Sequence, residues 1–290
     1  MKRTAIIGPG RVGTALGIAL DRAGYDVAAV AGRGAPSLAG FRRRLPGAAA
    51  MPAAEAARTA ELVLVCVPDD ALGDLVRGVA AADGVAEGSR WVHVAGGHGT
   101  DVLRPARLAG ARVAACHPAQ TFPDPDAGAA RLPGTSWAVT AEPADLGWAR
   151  VLVTDLGGSP MTLPPDARTL YHTGLVIGAN ATSTVVTLAR ELLLGAGVSD
   201  PAAFLGPLAT TAAANAAERG AGALTGPVRR GDAATVARQV DELRTAMPEA
   251  VDAYLELARL ALRHARRAGL DDDAAAAVAR VLGRAREEGR

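Results

Sequence analysis

Thr4-Ala5-Ile6-Ile7-Gly8-Pro9-Gly10-Arg11-Val12-Gly13, with Gly17 four residues further on, is the stretch that decides the fold. An apolar run of strand length leads into G-x-G-x-x-G, and an amphipathic segment follows. In that context the three glycines have separate tasks. Gly8 permits the tight turn, Gly10 lets a pyrophosphate approach the backbone, and Gly13 lets the following helix pack on the strand with its N-terminus aimed at the anion.

Working outward, short β-branched runs at 27–30, 62–67, 91–94, 112–116, 137–140 and 159–162 alternate with helical segments such as 12–23 and 71–81. Apolar strands without polar alternation, separated by helices, predict a mostly parallel sheet covered on both faces. After Pro164-Pro165 the strand signal stops. Segments 167–195, 201–219, 232–245, 248–268 and 271–288 read as helices. The expected organisation is α/β, with a Rossmann-type nucleotide-binding domain over 1–163 and an all-helical substrate and dimerisation domain over 166–290. Residues 169–189 carry no Asp, Glu, Lys or Arg, and they are expected to form a buried helix rather than a membrane span.

The chain has 290 residues, 49% hydrophobic and 21% charged, and its net charge of +1 excludes an electrostatic nucleic-acid or anionic-membrane binder. Cys66 and Cys116 lie far apart in apolar stretches, outside any CxxC spacing. The N-terminus runs straight into the glycine turn without the long apolar region of a secretory signal. Both features lead to a cytoplasmic expectation. His93, His98, Cys116 and His117 match no standard zinc spacing, so no metal is expected. Helices rich in alanine bury little area each and gain from packing on a second copy, hence an expected homodimer. All but one of the 31 basic residues are arginine, the exception being Lys2. No mechanism that needs an interior ammonium group is open to this chain.

Where a carboxylate would take a ribose 2′-hydroxyl, at the end of the second strand, the sequence has Ala31-Gly32-Arg33. An arginine there pairs with a 2′-phosphate, which favours NADP(H). Gly8, Gly10, Arg11, Val12, Gly13, Arg33, Val67, Pro68 and Asp69 are the expected cofactor contacts. For the chemistry, His117 in His117-Pro118-Ala119-Gln120-Thr121-Phe122 closes a strand, where it can donate a proton as hydride reaches carbon or simply bond backbone. Gln120 and Thr121 offer neutral hydrogen bonds. Tyr171, His172 and Asn180 fall on the uncharged helix, and the Asn180 amide needs a partner either in the core or in a cleft. In Leu224-Thr225-Gly226-Pro227-Val228-Arg229-Arg230-Gly231-Asp232, the paired arginines can hold a carboxylate. Asp232 can orient one of them or cap the next helix.

The fingerprint, the HPxQTF segment, the Tyr-His…Asn helix and the LTGPxxRGD loop, in this order, resemble the bacterial Rossmann-like proteins with an uncharacterised C-terminal helical domain. That family is similar to hydroxyacid dehydrogenases, ketopantoate reductases, pyrroline-carboxylate reductases and prephenate dehydrogenases. The resemblance implies an NADP(H)-dependent reductase of a small anionic carbonyl compound, with 2-ketopantoate as the leading candidate. His117 matches the catalytic histidine in a similar His-Pro segment of prephenate dehydrogenases. Asn180 matches the asparagine that follows a catalytic lysine in the hydroxyacid dehydrogenases, but Val176 and Ile177 stand in the lysine's place. With no lysine available, a second expectation is an imine reductase, whose substrate can arrive protonated. A third, of another class, is a non-catalytic NADP(H) sensor or partner-binding protein.

Overall fold

The computed structural model describes residues 2–287, in two compact units that meet in sequence at Ile177 and Gly178. Residue 288, the expected end of the last helix, lies outside the described residues. The first unit carries eight strands: β1 (Arg3–Ile7), β2 (Asp26–Ala31), β3 (Ala49–Ala50), β4 (Leu62–Val65), β5 (Arg90–His93), β6 (Arg112–Pro118), β7 (Ser136–Ala141) and β8 (Ser159–Thr162). They form one sheet in the order β3-β2-β1-β4-β5-β6-β7-β8. Every pair is parallel except β6 with β7. Two-residue β3 at the edge leaves no mark on the sequence, because two alanines give no periodicity to detect.

The helices of this unit are α1 (Arg11–Arg22), α2 (Ala35–Arg44), α3 (Ala53–Arg58), α4 (Asp69–Ala81), α5 (Arg104–Leu108), α6 (Pro125–Arg131), α7 (Pro143–Asp155) and α8 (Arg168–Val176). Strand side chains alternate between the faces, and each face finds an apolar partner. On β4, Leu62 and Leu64 join one core with Leu16 and Leu20 of α1, Phe41 of α2 and Trp148 of α7. Val63 and Val65 join the other, with Ala56 of α3 and Leu72 and Val76 of α4. This is why the strand sequences are apolar at successive positions. Each fully buried Leu, Val or Phe contributes about 1.5–3 kcal/mol of transfer free energy.

The second unit comprises α9 (Thr182–Gly195), α10 (Pro201–Arg219), α11 (Gly226–Arg230), α12 (Ala233–Ala246), α13 (Val251–Arg267) and α14 (Asp272–Glu287). Its core lies among α11–α14, around Val228, Val236, Val240, Leu255, Leu262, Val278 and Leu282. A π-helical turn, Ile177–Ala181, joins α8 to α9. The sequence predicts a buried helix over 169–189, and here the structure corrects it. Leu170 is 78% exposed and Ile177 62% exposed, and no side chain of α9 is buried. Low charge marks a surface that is apolar without being interior. Among the described residues no helix is long and apolar enough to cross a membrane.

Candidate functional site

The glycine turn is shaped by its neighbours. Gly8 adopts φ +98°, and a Cβ there would sit 2.6 Å from the Cys66 carbonyl oxygen. Its N–H donates to the Ala31 carbonyl at 2.9 Å, while the Cys66 N–H donates to the Ile7 carbonyl at 2.7 Å. The end of β1 is thus held between those of β2 and β4. A Cβ on Gly13 would fall on the Gly8 carbonyl oxygen, whereas one on Gly10 would meet nothing within 4 Å. Open space in front of Gly10 faces the N-terminus of the twelve-residue α1, where no side chain caps the free N–H groups.

A cleft of about 630 Å³ opens there, lined among others by Gly8, Pro9, Gly10, Gly32, Arg33, Ser37, Met51, Val67 and Pro68. It sits at the carboxyl ends of β1, β2 and β4, beside the β1–β4 pair where strand order reverses, which is where open α/β sheets bind ligands. The volume is ordinary for a small-molecule site. Arg33 lies two residues beyond β2, and Asp26 stands at the opposite end of that strand. Ser37 is in the first turn of α2, whose N-terminus again has no side-chain cap. These residues fit a dinucleotide: apolar walls, an open backbone face for the pyrophosphate, and a guanidinium with a hydroxyl where a 2′-phosphate would lie. Arg11, Val12 and Gly13 make the first turn of α1 behind Gly10. Asp69 opens α4 with its carboxylate 3.8 Å from His98 Nε2. These four border the cleft without lining it.

A second cluster gathers at the ends of β5 and β6. His93 is fully buried, its Nδ1 accepting from the Ala95 N–H at 3.2 Å and its Nε2 lying 2.8 Å from the Gly99 carbonyl oxygen. The first bond puts the proton on Nε2, and burial pushes the pKa down to about 3, so His93 is a neutral strut for the loop after β5. His117 Nδ1 is 3.0 Å from the Tyr171 hydroxyl. Its ring makes edge contacts with Tyr171 and His172, both at 5.7 Å between centroids. Burial first, then the charges of Arg168 and His172, lower the His117 pKa to about 4. Burial raises that of Tyr171. At neutral pH the pair is therefore an uncharged imidazole and an intact phenol. Gly96 forms the floor: a Cβ there would strike the His172 ring and come within 3.0 Å of His117 Nε2.

Of the expected substrate contacts, Tyr171 and His172 join His117. Gln120 is bonded locally, its Oε1 accepting from the Thr121 N–H at 2.9 Å and its Nε2 donating to Thr135 at 3.4 Å. Phe122 packs on Ala15 and Ala129 and fixes this turn to α1 and α6. Asn180 lies exposed on the π-helical turn of the second unit, so the partner expected for its amide in a core is not supplied there. Arg229 donates to the Ala268 carbonyl that ends α13, and Asp232 caps α12 by accepting from the Thr235 N–H at 3.0 Å. That bond holds the Asp232 carboxyl below its usual pKa. Arg229 and Arg230 line a surface hollow of about 520 Å³ with Leu224, Thr225 and Leu270. Among the described residues no group of three metal-ligating side chains occurs. Sequence reasoning passes over Arg168 and Gly96. Nothing in the sequence singles out Arg168, and only the three-dimensional packing shows it to be interior.

Fold and cleft define a Rossmann-type α/β protein with a helical C-terminal region. The chain belongs to the family of the domain of unknown function DUF2520, which matches residues 135–281, and residues 2–118 match a Rossmann-like domain. No curated protein matches by sequence. Among solved structures, a Bacteroides fragilis protein described as an NADP oxidoreductase superposes with a TM-score of 0.76 at 23% identity, covering 90% of this chain and 97% of that one. An imine reductase from Myxococcus stipitatus in complex with NADP+ gives 0.65 at 19%, covering 97% and 99%. A pyrroline-5-carboxylate reductase from Coxiella burnetii gives 0.56 at 15%, covering 100% and 99%. At these identities the likeness establishes the shared fold.

Proposed function

We propose that this protein is an NADP(H)-dependent oxidoreductase that reduces the C=O or C=N bond of a small anionic molecule. The observation that carries it is the cleft at the β1–β4 crossover, open at Gly10 and flanked by Arg33, with no acidic residue between β2 and α2 and with Asp74 of α4 elsewhere in its lining. The neighbours described as NADP oxidoreductase and imine reductase support the same class. When bound, the nicotinamide supplies the hydride. The chain's own part is to place the substrate and manage one proton. With Tyr171 O–H donating to Nδ1, the imidazole proton sits on His117 Nε2 beside Gly96. A neutral imidazole N–H polarises a carbonyl oxygen without adding a full charge. As hydride reaches carbon, Nε2 gives its proton to the oxygen, Tyr171 passes its proton to Nδ1, and water restores the half-buried phenol. This step uses groups of the first unit alone.

A 2-keto acid, with 2-ketopantoate first, is the substrate favoured by the family resemblance. A cyclic imine is the second, because a substrate that arrives protonated needs no lysine, and Lys2 is the chain's single lysine. Incubating a panel of 2-keto acids and cyclic imines with NADPH and with NADH, followed by cofactor absorbance, tests both. Turnover with NADPH, lowered at least about tenfold in His117→Ala, is expected. Tight NADPH binding with no turnover of any member identifies a sensor instead, and absence of NADPH binding refutes the assignment outright.

A further inference from the structure

The inner face of α8 holds a group the chemistry above does not use. Arg168 is fully buried. Its Nη1 and Nη2 donate to neutral oxygens, Thr140 Oγ1 at 2.9 Å and the Ala95 carbonyl at 3.0 Å, and its buried Nε has no partner. Among the described residues no carboxylate perturbs its ionisation; the titratable groups around it are Cys116, Tyr171, His93 and His117. A guanidinium taken out of water costs several kcal/mol unless it is paired with an anion. Stability alone would have supplied an Asp or Glu at this point, or an apolar side chain. Thr140 in turn donates to the Leu163 carbonyl at 2.6 Å, so the anchor is itself tied down. Arg168, Tyr171 and His172 are spaced i, i+3, i+4 and share one face of α8.

We propose that Arg168 is the positioning residue of the His117 site, fastening the first turn of α8 to β7 and to the loop after β5 so that Tyr171 and His172 close over the imidazole, and adding its uncompensated charge to burial in keeping that imidazole neutral. The proposal rests on the role assigned to His117. The groups facing His117 are Arg168, Tyr171 and His172 from α8, and His93 from β5. On its own strand, Cys116 faces Arg168, and burial pushes that thiol up to about 12. Arg168 is the permanent charge among them. It opposes a second cation at His117 and leaves the ring free to exchange its proton with Tyr171.

The test is a proton titration of histidine-labelled protein by NMR, with His117 signals identified by their loss in His117→Gln. In the wild type the midpoint is expected near 4. In Arg168→Met, which keeps length and removes charge, it should rise by about one unit, a tenfold gain in proton affinity. Arg168→Lys should hold it low, because the titration falls at acid pH, where even a buried amine is charged. The acid limb of kcat/KM should move with the midpoint in Arg168→Met, which simple loosening of the fold would not produce. A wild-type midpoint at the ordinary imidazole value overturns the proposal, as does an unmoved midpoint in folded Arg168→Met or a raised one in Arg168→Lys. If both variants fail to fold, Arg168 is a determinant of folding and the proposal falls equally. The titration needs no turnover, so it tests Arg168 independently of the reductase assignment.

Discussion

At the scale of single residues, two glycines of one motif make opposite demands. Gly8 has a backbone conformation that L side chains avoid and a carbonyl where its Cβ would be. Gly8→Ala should therefore lower stability by roughly 1–3 kcal/mol, seen in thermal melts, as well as weakening NADPH binding. Gly10 has free space and an ordinary φ of −76°. Gly10→Ala should melt like the wild type while losing about tenfold or more in NADPH affinity by fluorescence titration; an unchanged affinity would place the pyrophosphate elsewhere. The buried histidines make a separate prediction about acid. The unfolded chain takes up protons near 6.5, whereas folded His117 does so only near 4 and folded His93 near 3. Between those values the unfolded state binds more protons. Stability is therefore full above pH 6.5 and is lost progressively as pH falls toward 3. His93→Asn, which keeps one acceptor and one donor and does not titrate, should lessen that acid loss; an identical pH dependence of the melting temperature would count against the buried neutral imidazole.

At the scale of elements, the β2–α2 junction concentrates cofactor choice. Arg33 and Ser37 flank the uncapped start of α2, so a 2′-phosphate would meet a guanidinium, a hydroxyl and free N–H groups together. A charge-assisted contact is worth about 1.5–3 kcal/mol. Arg33→Ala should raise the NADPH dissociation constant by roughly tenfold to a hundredfold and leave that for NADH within about twofold, read by paired titrations. Equal losses for both cofactors would instead make Arg33 a pyrophosphate or structural contact. This junction is legible in the sequence because a strand end followed by Gly-Arg has a fixed address relative to the glycine turn. The strands are legible for a related reason: a sheet covered on both faces needs apolar residues at every position, and 62–65 and 113–116 supply them. The His117 cluster is legible only in part. His117, Tyr171 and His172 stand out as rare polar groups in apolar stretches, but their meeting depends on α8 packing over Gly96, and no local pattern encodes that. Arg168 is hidden by the abundance of arginine, since burial depends on packing and leaves no mark on composition. Gln120 and Arg229 form turn and helix-end bonds, and Asp232 takes the helix-capping alternative that the sequence allows, as such side chains do whenever free backbone groups lie within reach.

At the scale of the whole molecule, the surface of the helical unit is its least balanced feature. Helix α9 buries no side chain and α10 only Pro201, yet Leu194, Phe204 and Leu208 are large apolar groups left 44%, 64% and 67% exposed. Single exposed leucines are common, whereas two consecutive helices with almost no charge before Arg190 and none between Pro201 and Ala217 form a patch that water does not favour. Ala, Thr and Gly fill the positions between the larger side chains, so another helix can approach closely. We propose a homodimer built on α9 and α10, the assembly expected from an alanine-rich helical domain that buries little of its own area. Covering such a patch with an identical one removes apolar surface from both copies at once, which a two-fold interface does with a single set of residues. Burying the Phe204 and Leu208 side chains contributes about 1.5–3 kcal/mol each per subunit. Phe204→Glu with Leu208→Glu places charges where that area must be desolvated, and the pair should shift the protein to monomer by sedimentation velocity at micromolar concentration. The first unit keeps its own sheet and cores, so NADPH binding should survive in that monomer. A wild type that sediments as a monomer, or a double variant that remains dimeric, would show that α9 and α10 meet some other surface.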